Sequence, residues 1–170
     1  IFRGQAFTEW RNEPNGYFLR KMTHVIDPFP IPGHWKIYRG FDWGYSSPFA
    51  VVWIAFDENR RGYVIKEWYG GKVDNRGYPT NQGIQMDVAT VAERIVEMEK
   101  TDPMLKGRHI YGVADPSIFR TEHTKGMSTA EIMEVNHCYF EKGANDRISG
   151  KQQFHYRLKF NENGYPMLQV

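Results

Sequence analysis

The chain has 170 residues, 41% hydrophobic and 25% charged, which is enough for one domain with a substantial core and excludes wholesale disorder. The net charge is only +2, which permits a polyanionic partner without indicating one. The single cysteine, Cys138, excludes an internal disulfide framework and a zinc site built from cysteines, and it is typical of a reducing compartment.

The chain is expected to be neither membrane-bound nor secreted. Its longest uninterrupted apolar run is eight residues, 49–56, whereas a membrane-spanning helix needs about 20. A secretory signal pattern is missing from the first residues. The chain begins with Ile rather than Met and stops within a predicted strand, so we expect a fragment of a longer polypeptide.

Residues 1–35 are rich in turn-forming residues, among them the string Pro14-Asn15-Gly16. Proline fixes its own φ and restricts the residue before it, so proline-rich segments are extended and irregular. We therefore expect residues 1–35 to be an arm or linker, and we assign the domain itself to residues 36–170.

Three strands are predicted next. The first covers residues 36–42 and ends at Asp42. The second covers residues 49–56 and is apolar on both faces, as is typical of a covered central strand. A polar hairpin-type loop leads into the third strand, over residues 63–69. Strands joined by short turns form an antiparallel meander.

Helices and strands alternate in the remainder of the chain. A polar loop rich in Gly, Asn and Pro is expected at residues 70–83, where it could cover a site. Apolar residues at helical spacing and a capping-box pattern predict the later helices. The elements in order are a helix over 84–98, a strand over 108–115, a helix over 128–136, a strand over 138–140, a helix that begins at Asn145 or Asp146, and a strand over 166–170.

The order β-β-β-α-β-α-β-α-β predicts an α/β fold of the ribonuclease H-like type. Such a fold has a mixed sheet, with three antiparallel strands and then parallel strands, and helices on both faces. Its first strand lies beside its fourth, so Asp42 and Asp115 are expected to be neighbours at one edge of the sheet.

Asp42 and Asp115 are therefore the candidate catalytic residues and metal ligands. Each aspartate follows an apolar stretch and precedes turn residues, in the strings Gly-Phe-Asp-Trp-Gly and Gly-Val-Ala-Asp-Pro. Paired carboxylates suit Mg²⁺ or Mn²⁺, which favour hard oxygen ligands. Taken alone, Asp42 is better explained as a turn residue, and Asp115 could equally form a cap or a turn before Pro116. Their pairing favours metal-assisted phosphodiester hydrolysis, although two ions normally need a third carboxylate.

Five further residues are weaker candidates. Asp146 could be a metal ligand, although its local sequence favours the role of a helix N-cap with a favourable helix-dipole interaction. Arg120, Lys125, Arg147 and Lys151 could flank the acidic pair and bind phosphates, which would give sequence-independent and salt-sensitive DNA binding. Each of these cations could equally belong to an ordinary solvated surface.

Five segments together resemble the nuclease domain of the large terminase subunit of tailed bacteriophages, the DNA-packaging motor. They are residues 4–10, 29–35, 38–44, 112–117 and 145–150. The resemblance implies an Mg²⁺- or Mn²⁺-dependent endonuclease that cuts concatemeric double-stranded DNA at a two-metal site. The family's third acidic residue lies on a helix beyond the last strand, where this chain has already stopped. The resemblance thus implies a domain truncated at its C-terminus, with an incomplete site that could leave the fragment inactive.

The same resemblance implies the partners and the location. The partners are double-stranded DNA, an ATPase domain of the same polypeptide, the portal protein and the small terminase subunit, in the cytoplasm of a bacterial host. This chain lacks a Gly-x-x-x-x-Gly-Lys-Ser/Thr string that could cradle phosphates. Any use of ATP would therefore belong to other parts of the polypeptide.

Three alternatives stay open at this point. Another ribonuclease H-like nuclease, of the resolvase or transposase type, is one, although the proline-rich segment before the first strand argues against it. A non-catalytic module that binds DNA or a capsid component is the second, and it would show no metal binding that depends on Asp42. An actin-like ATPase is the third, but a second Asp-x-Gly phosphate loop is lacking.

Overall fold

A computed structural model describes residues 6–121 and 126–170. The strands within these ranges are β1 (Lys36–Asp42), β2 (Ala50–Phe56), β3 (Gly62–Tyr69), β4 (Gly71–Val73), β5 (Pro79–Gly83), β6 (Ile110–Ala114), β7 (Glu141–Lys142) and β8 (Leu168–Gln169). The α-helices are α1 (Val88–Thr101), α2 (Thr129–Val135) and α3 (Arg147–Leu158), and 3₁₀ turns cover Pro14–Gly16 and Pro116–Phe119. No described helix is both long and apolar enough to cross a membrane.

Six strands form one mixed sheet in the order β7-β6-β1-β2-β3-β8. Strand β6 runs parallel to β1, and Phe41 lies opposite Ala114 in their register. Strand β7 is parallel to β6, and β8 is parallel to β3. The predicted α/β, ribonuclease H-like arrangement is confirmed, including the contact between the first strand and the strand that precedes Asp115.

The prediction that residues 70–83 form a loop is wrong in one respect, because these residues include the strands of a second, two-stranded antiparallel sheet. Strands β4 and β5 pair with Gly71 opposite Gly83 and Val73 opposite Pro79. Most of this hairpin is exposed to solvent. Its strands therefore lack the alternation of apolar and polar residues by which a half-buried strand is recognised.

Two further predicted boundaries are wrong. Helix α1 begins at Val88 and not at residue 84, because the Asp87 side chain caps it and Gln85 has a positive φ of 56°. Residues 138–140 are not a strand, because the Cys138 N–H still donates to Met133 O of helix α2 at 2.9 Å. Strand pairing begins only at Glu141.

The chain divides into two compact units by its internal contacts. One unit, here called the sheet-edge unit, contains Lys36–Ile54 and Lys66–Asn145. The other, here called the terminal unit, contains Ala55–Ile65, Asp146–Val170 and the residues up to Trp35. The domain boundary at residue 36 stays a prediction.

The core of the sheet-edge unit is built from alternate strand positions and one face of helix α1. Ile37 and Phe41 of β1 are buried, as are Val51 and Trp53 of β2. Helix α1 contributes Val91, Ala92 and Ile95. These buried faces determine which side of each strand remains available for polar residues.

His24 is a buried polar group of the terminal unit. Its ring is fully buried and stacks on Trp10, with centroids 5.0 Å apart. Nδ1 accepts the Arg11 backbone N–H at 2.9 Å, and Nε2 lies 2.8 Å from Leu158 O. The neutral ring with its proton on Nε2 satisfies both contacts. Burial is the largest cause that lowers the pKa of His24 below its ordinary 6.5.

We expect the protein to lose stability in mild acid through His24. The unfolded chain protonates this ring near its ordinary pKa of 6.5, whereas the folded chain does so only at lower pH. The free energy of unfolding should therefore fall as the pH drops from about 7 to about 5.5. The measurement is urea unfolding across this range.

The matching variant is His24→Gln, which should be less stable at every pH but should show a flatter pH dependence. The carboxyl groups of Glu9 and Glu58 also have lowered pKa values. The largest cause is a hydrogen bond to its own backbone for Glu9, and a hydrogen bond to the His34 side chain for Glu58. Their stabilisation is lost only around and below 4.5, which is a separate window. An unchanged slope in His24→Gln would contradict the assignment.

Candidate metal centre

Asp42 and Asp115 lie at the carboxyl ends of two neighbouring parallel strands, directly after the paired residues Phe41 and Ala114. Asp42 is the last residue of β1, and Asp115 directly follows β6. The Asp115 N–H donates to Phe41 O at 3.2 Å, so the parallel pairing continues up to the aspartates. Adjacent strands lie about 4.8 Å apart. The predicted adjacency of the two aspartates is confirmed, and their role as ligands stays a prediction.

The two carboxylates differ in their surroundings. Asp42 is exposed, whereas Asp115 is half-buried. The Asp115 carboxylate accepts the Ser117 N–H at 2.8 Å and caps the 3₁₀ turn Pro116–Phe119. This contact orients the Asp115 side chain at the sheet edge. The cap expected from the local sequence is therefore present, and a ligand role for Asp115 stays a prediction.

The donor set of this edge fits a single Mg²⁺ or Mn²⁺ ion. Magnesium is usually bound by one or two protein carboxylates together with substrate phosphates and water. Asp42 and Asp115 match that description. Among residues 6–121 and 126–170, no group of three or more His, Cys, Asp or Glu side chains could hold a metal ion. The described chain thus supplies two carboxylates and no third.

The loop that follows Asp42 is tightly packed against itself. A Cβ atom at Gly44 would overlap the carbonyl oxygen of Ser47 and would lie 2.6 Å from that of Pro48. Both neighbours are backbone atoms, which cannot move aside as a flexible side chain could. Gly44 therefore allows the chain to turn sharply behind Asp42.

A cleft of about 540 Å³ is lined by residues close in the chain to both aspartates. It is next to both of them in the chain, because Trp43 follows Asp42 and Ser117 is bound by Asp115. The described residues that line it are Trp43, Ser117, Ile118, Arg120, Gly126, Met127, Ser128 and Thr129. Residues that follow the two aspartates in the chain therefore line the cleft, although Asp42 and Asp115 are not among the described lining residues.

A buried arginine supports the strands that carry the site. Arg39 donates from Nη1 to Glu99 Oε1 at 2.7 Å and from Nη2 to Tyr139 O at 2.6 Å. Its guanidinium lies 4.3 Å from the Phe140 ring centroid, and the Trp53 indole N–H donates to the same Glu99 oxygen at 2.8 Å. Arg39 thus ties β1 to helix α1 and to the chain just before β7.

Arg39 was not predicted to support the site. Its signal was available, because Arg39 occupies the strand position between Ile37 and Phe41, where alternation predicts a buried side chain. A charged residue at such a position needs a buried partner. The identity of that partner, Glu99, could not be read from the sequence.

Asp146 has the contacts of a helix cap. Its carboxylate accepts the Ile148 N–H at 3.0 Å, the Ser149 N–H at 3.3 Å and the Ser149 hydroxyl at 2.5 Å. These hydrogen bonds, with that of the Ser149 hydroxyl first, lower the pKa of Asp146. Asp146 belongs to the terminal unit, whereas Asp42 and Asp115 belong to the sheet-edge unit. A metal role for Asp146 stays a prediction.

Of the four predicted DNA-binding cations, Arg120 belongs to the sheet-edge unit, as the acidic pair does. It is exposed, follows the 3₁₀ turn after Asp115, and lines the cleft. Arg147 and Lys151 are exposed on the first turns of α3, in the terminal unit. Lys125 lies outside the described residues. The roles of all four stay predictions.

No protein-family model and no curated protein matches the sequence. Solved structures do match. The large terminase of a thermophilic bacteriophage (crystal form 2) has a TM-score of 0.60 and 18% identity, covering 91% of this chain and 31% of that chain. The P22 large terminase nuclease domain has a TM-score of 0.54 and 12% identity, covering 95% of this chain and 73% of that chain.

The chain has a terminase nuclease-like fold. A second structure of the thermophilic phage's large terminase (crystal form 3) agrees, with a TM-score of 0.55 and 21% identity over 79% of this chain. The chain spans only 29% to 31% of these thermophilic-phage large terminases. The predicted resemblance is thus confirmed for the fold.

Proposed function

We propose that this terminase nuclease-like domain is an endonuclease that cuts double-stranded DNA with the help of Mg²⁺ or Mn²⁺. The observation that carries the proposal is the parallel pairing of β1 with β6, in which Phe41 lies opposite Ala114, so that Asp42 and Asp115 follow at the ends of two neighbouring strands. Two such oxygen donors suit a hard divalent cation. The terminase nuclease-like fold makes DNA the substrate to test first.

Each residue of the site has a proposed role. Asp42 and Asp115 would hold the ion, which when bound would activate a water and neutralise charge on the scissile phosphate. The Ser117 N–H keeps the Asp115 carboxylate oriented for this role. Arg120, in the adjacent cleft, would bind a neighbouring phosphate and position the duplex without reading its sequence.

The wider context belongs to the same proposal. The parent protein would cut concatemeric phage DNA in the cytoplasm of a bacterial host, together with an ATPase domain of the same polypeptide, the portal protein and the small terminase subunit. A two-metal site would need one more carboxylate besides Asp42 and Asp115. That carboxylate would come from outside the described residues.

The test is cleavage of supercoiled plasmid DNA with Mn²⁺ by the parent polypeptide, combined with calorimetric titration of Mn²⁺. Asp42→Asn or Asp115→Asn is expected to lower both Mn²⁺ affinity and the cleavage rate by at least about 100-fold, because each removes a charged ligand. The control is Glu67→Gln, which removes the same charge from an exposed position on β3. It should leave both quantities unchanged.

The two readouts separate the remaining possibilities. Wild-type cutting by Asp42→Asn would overturn the assignment. Binding of Mn²⁺ that does not depend on Asp42, without any cutting, would favour a non-catalytic module that binds DNA or a capsid component. Preferential, ordered cutting of four-way junctions would favour a nuclease of the resolvase type.

A further inference from the structure

The β4–β5 hairpin leaves the sheet at the same edge as the acidic pair. The Gly70 N–H, just after β3, donates to Phe49 O at 2.8 Å, directly before β2. At the other end of the hairpin, the Gly83 N–H donates to Ser46 O at 2.7 Å. Ser46 belongs to the loop that follows Asp42. The two ends of the hairpin are thus attached to the loop behind the first carboxylate.

The attachment of the hairpin is closely packed. A Cβ atom at Gly83 would overlap the carbonyl oxygens of Tyr45 and Ser47, and one at Gly70 would lie 2.6 Å from Cγ of Phe49. Phe49 is itself buried. The direction in which the hairpin leaves the sheet is therefore set by contacts with the core and with the loop after Asp42.

Beyond this base, the hairpin contributes almost nothing to the core. Residues 72–79 are all exposed, and Val73 and Tyr78 are each 65% exposed. Its tip is an ordered turn, because the Asp74 carboxylate accepts the N–H groups of Arg76 and Tyr78 at 2.8 and 2.9 Å. An isolated two-stranded hairpin is only marginally stable. Packing within the domain therefore does not explain its exposed side chains.

The exposed surface of the hairpin suits the backbone of a nucleic acid. Lys72 and Arg76 are exposed, and neither forms an ion pair with any residue in the described ranges. The single acidic group between them, Asp74, is engaged by backbone N–H groups of the turn. Cations bind phosphates, and Tyr78 adds an aromatic surface. A two-stranded ribbon also fits the major groove of B-DNA.

We infer that the β4–β5 hairpin is a DNA-binding arm that holds duplex DNA at the edge formed by Asp42 and Asp115. Lys72 and Arg76 contact phosphates. The hydrogen bonds at the base of the hairpin hold these two side chains in position relative to the loop after Asp42. The choice of DNA as the ligand rests on the proposed function. The hairpin itself contributes binding and does not take part in the chemistry.

The experiment measures binding separately from cleavage. The Asp42→Asn chain is titrated onto a short fluorescein-labelled DNA duplex in EDTA, and fluorescence anisotropy is recorded at several salt concentrations. Adding Lys72→Ala and Arg76→Ala should raise Kd roughly tenfold and lower the slope of log Kd against log salt by about 2, one for each lost phosphate contact.

The matched control in the same background is Arg94→Ala with Lys106→Ala. Both residues are exposed in the sheet-edge unit and lie outside the hairpin. This pair removes the same net charge, so it should change Kd less than twofold if the hairpin is the contact. Circular dichroism melting checks that each variant is folded, which is expected because all four side chains are exposed.

The outcomes are distinct for the two proposals. Equal affinity in the hairpin and control variants, or no duplex binding by the parent chain, would overturn the DNA-binding arm. If the hairpin variant still binds DNA but no longer binds a protein partner, the hairpin is a site for that protein partner instead. Duplex binding that depends on the hairpin, in a chain that never cuts DNA, would support the arm while the proposed nuclease function fails.

Discussion

Glu99→Gln is expected to lower the free energy of unfolding by about 3–5 kcal/mol, because it leaves the charge of Arg39 buried without a counterion. The side chain of Arg39 is only 4% exposed, and that of Glu99 17%. Glutamine can still accept hydrogen bonds from Arg39 and Trp53, so the variant isolates the loss of charge. Urea unfolding, followed by circular dichroism, measures the change.

Two further variants test this explanation. Glu97→Gln removes the same charge from an exposed position on the same helix, and it should change stability by no more than about 0.5 kcal/mol. Replacing both partners, as Arg39→Met with Glu99→Leu, should recover most of the loss, because no buried charge remains. A double variant as unstable as Glu99→Gln would show that the charge is not the cause.

Gly112→Ala is expected to destabilise the protein by roughly 2–4 kcal/mol through overpacking. The added Cβ atom would overlap the Tyr139 carbonyl oxygen and would lie 2.7 Å from Nη2 of Arg39. Gly112 pairs with Arg39 in the register of β1 and β6. Strand β6 would have to move relative to β1 to make room, and Asp115 would move with it.

The expected signature is therefore a loss of function as well as a loss of stability. Mn²⁺ affinity should fall in Gly112→Ala under conditions in which the chain is still folded, because the spacing of Asp42 and Asp115 changes. The matched control is Gly150→Ala on helix α3, where nothing lies within 4 Å of the added atom. That change should stabilise the chain by about 0.5–1 kcal/mol. Unaltered Mn²⁺ affinity in Gly112→Ala would show that the metal centre does not depend on this packing.

The strands that carry the candidate site could be predicted because their signals are local. Residues 36–42 and 108–115 are stretches of strand-forming residues that end at an aspartate followed by turn residues. The order of elements then predicted that these two strands are neighbours, and the register confirms it. The helix capped by Ser128 was predictable for the same reason, since both members of its capping box lie within one turn.

The features that were missed depend on contacts between distant residues. Arg39 and Glu99 are 60 residues apart, and no local pattern pairs them. The hairpin at β4 and β5 is stabilised by backbone hydrogen bonds between exposed strands, so hydrophobic alternation gives no indication of it. Strand β7 begins only after the last backbone hydrogen bond to helix α2, which the Cys138 N–H donates to Met133 O.

By itself, the sequence determined the class of fold, the two aspartates and their position at neighbouring strand ends, because apolar stretches and turn residues are local and directional. Only the tertiary structure decided that a buried Arg39–Glu99 pair supports those strands and that a cationic hairpin after β3 is hydrogen-bonded to the loop behind Asp42. These features depend on which distant backbone and side-chain groups meet, and no local pattern of residues indicates that.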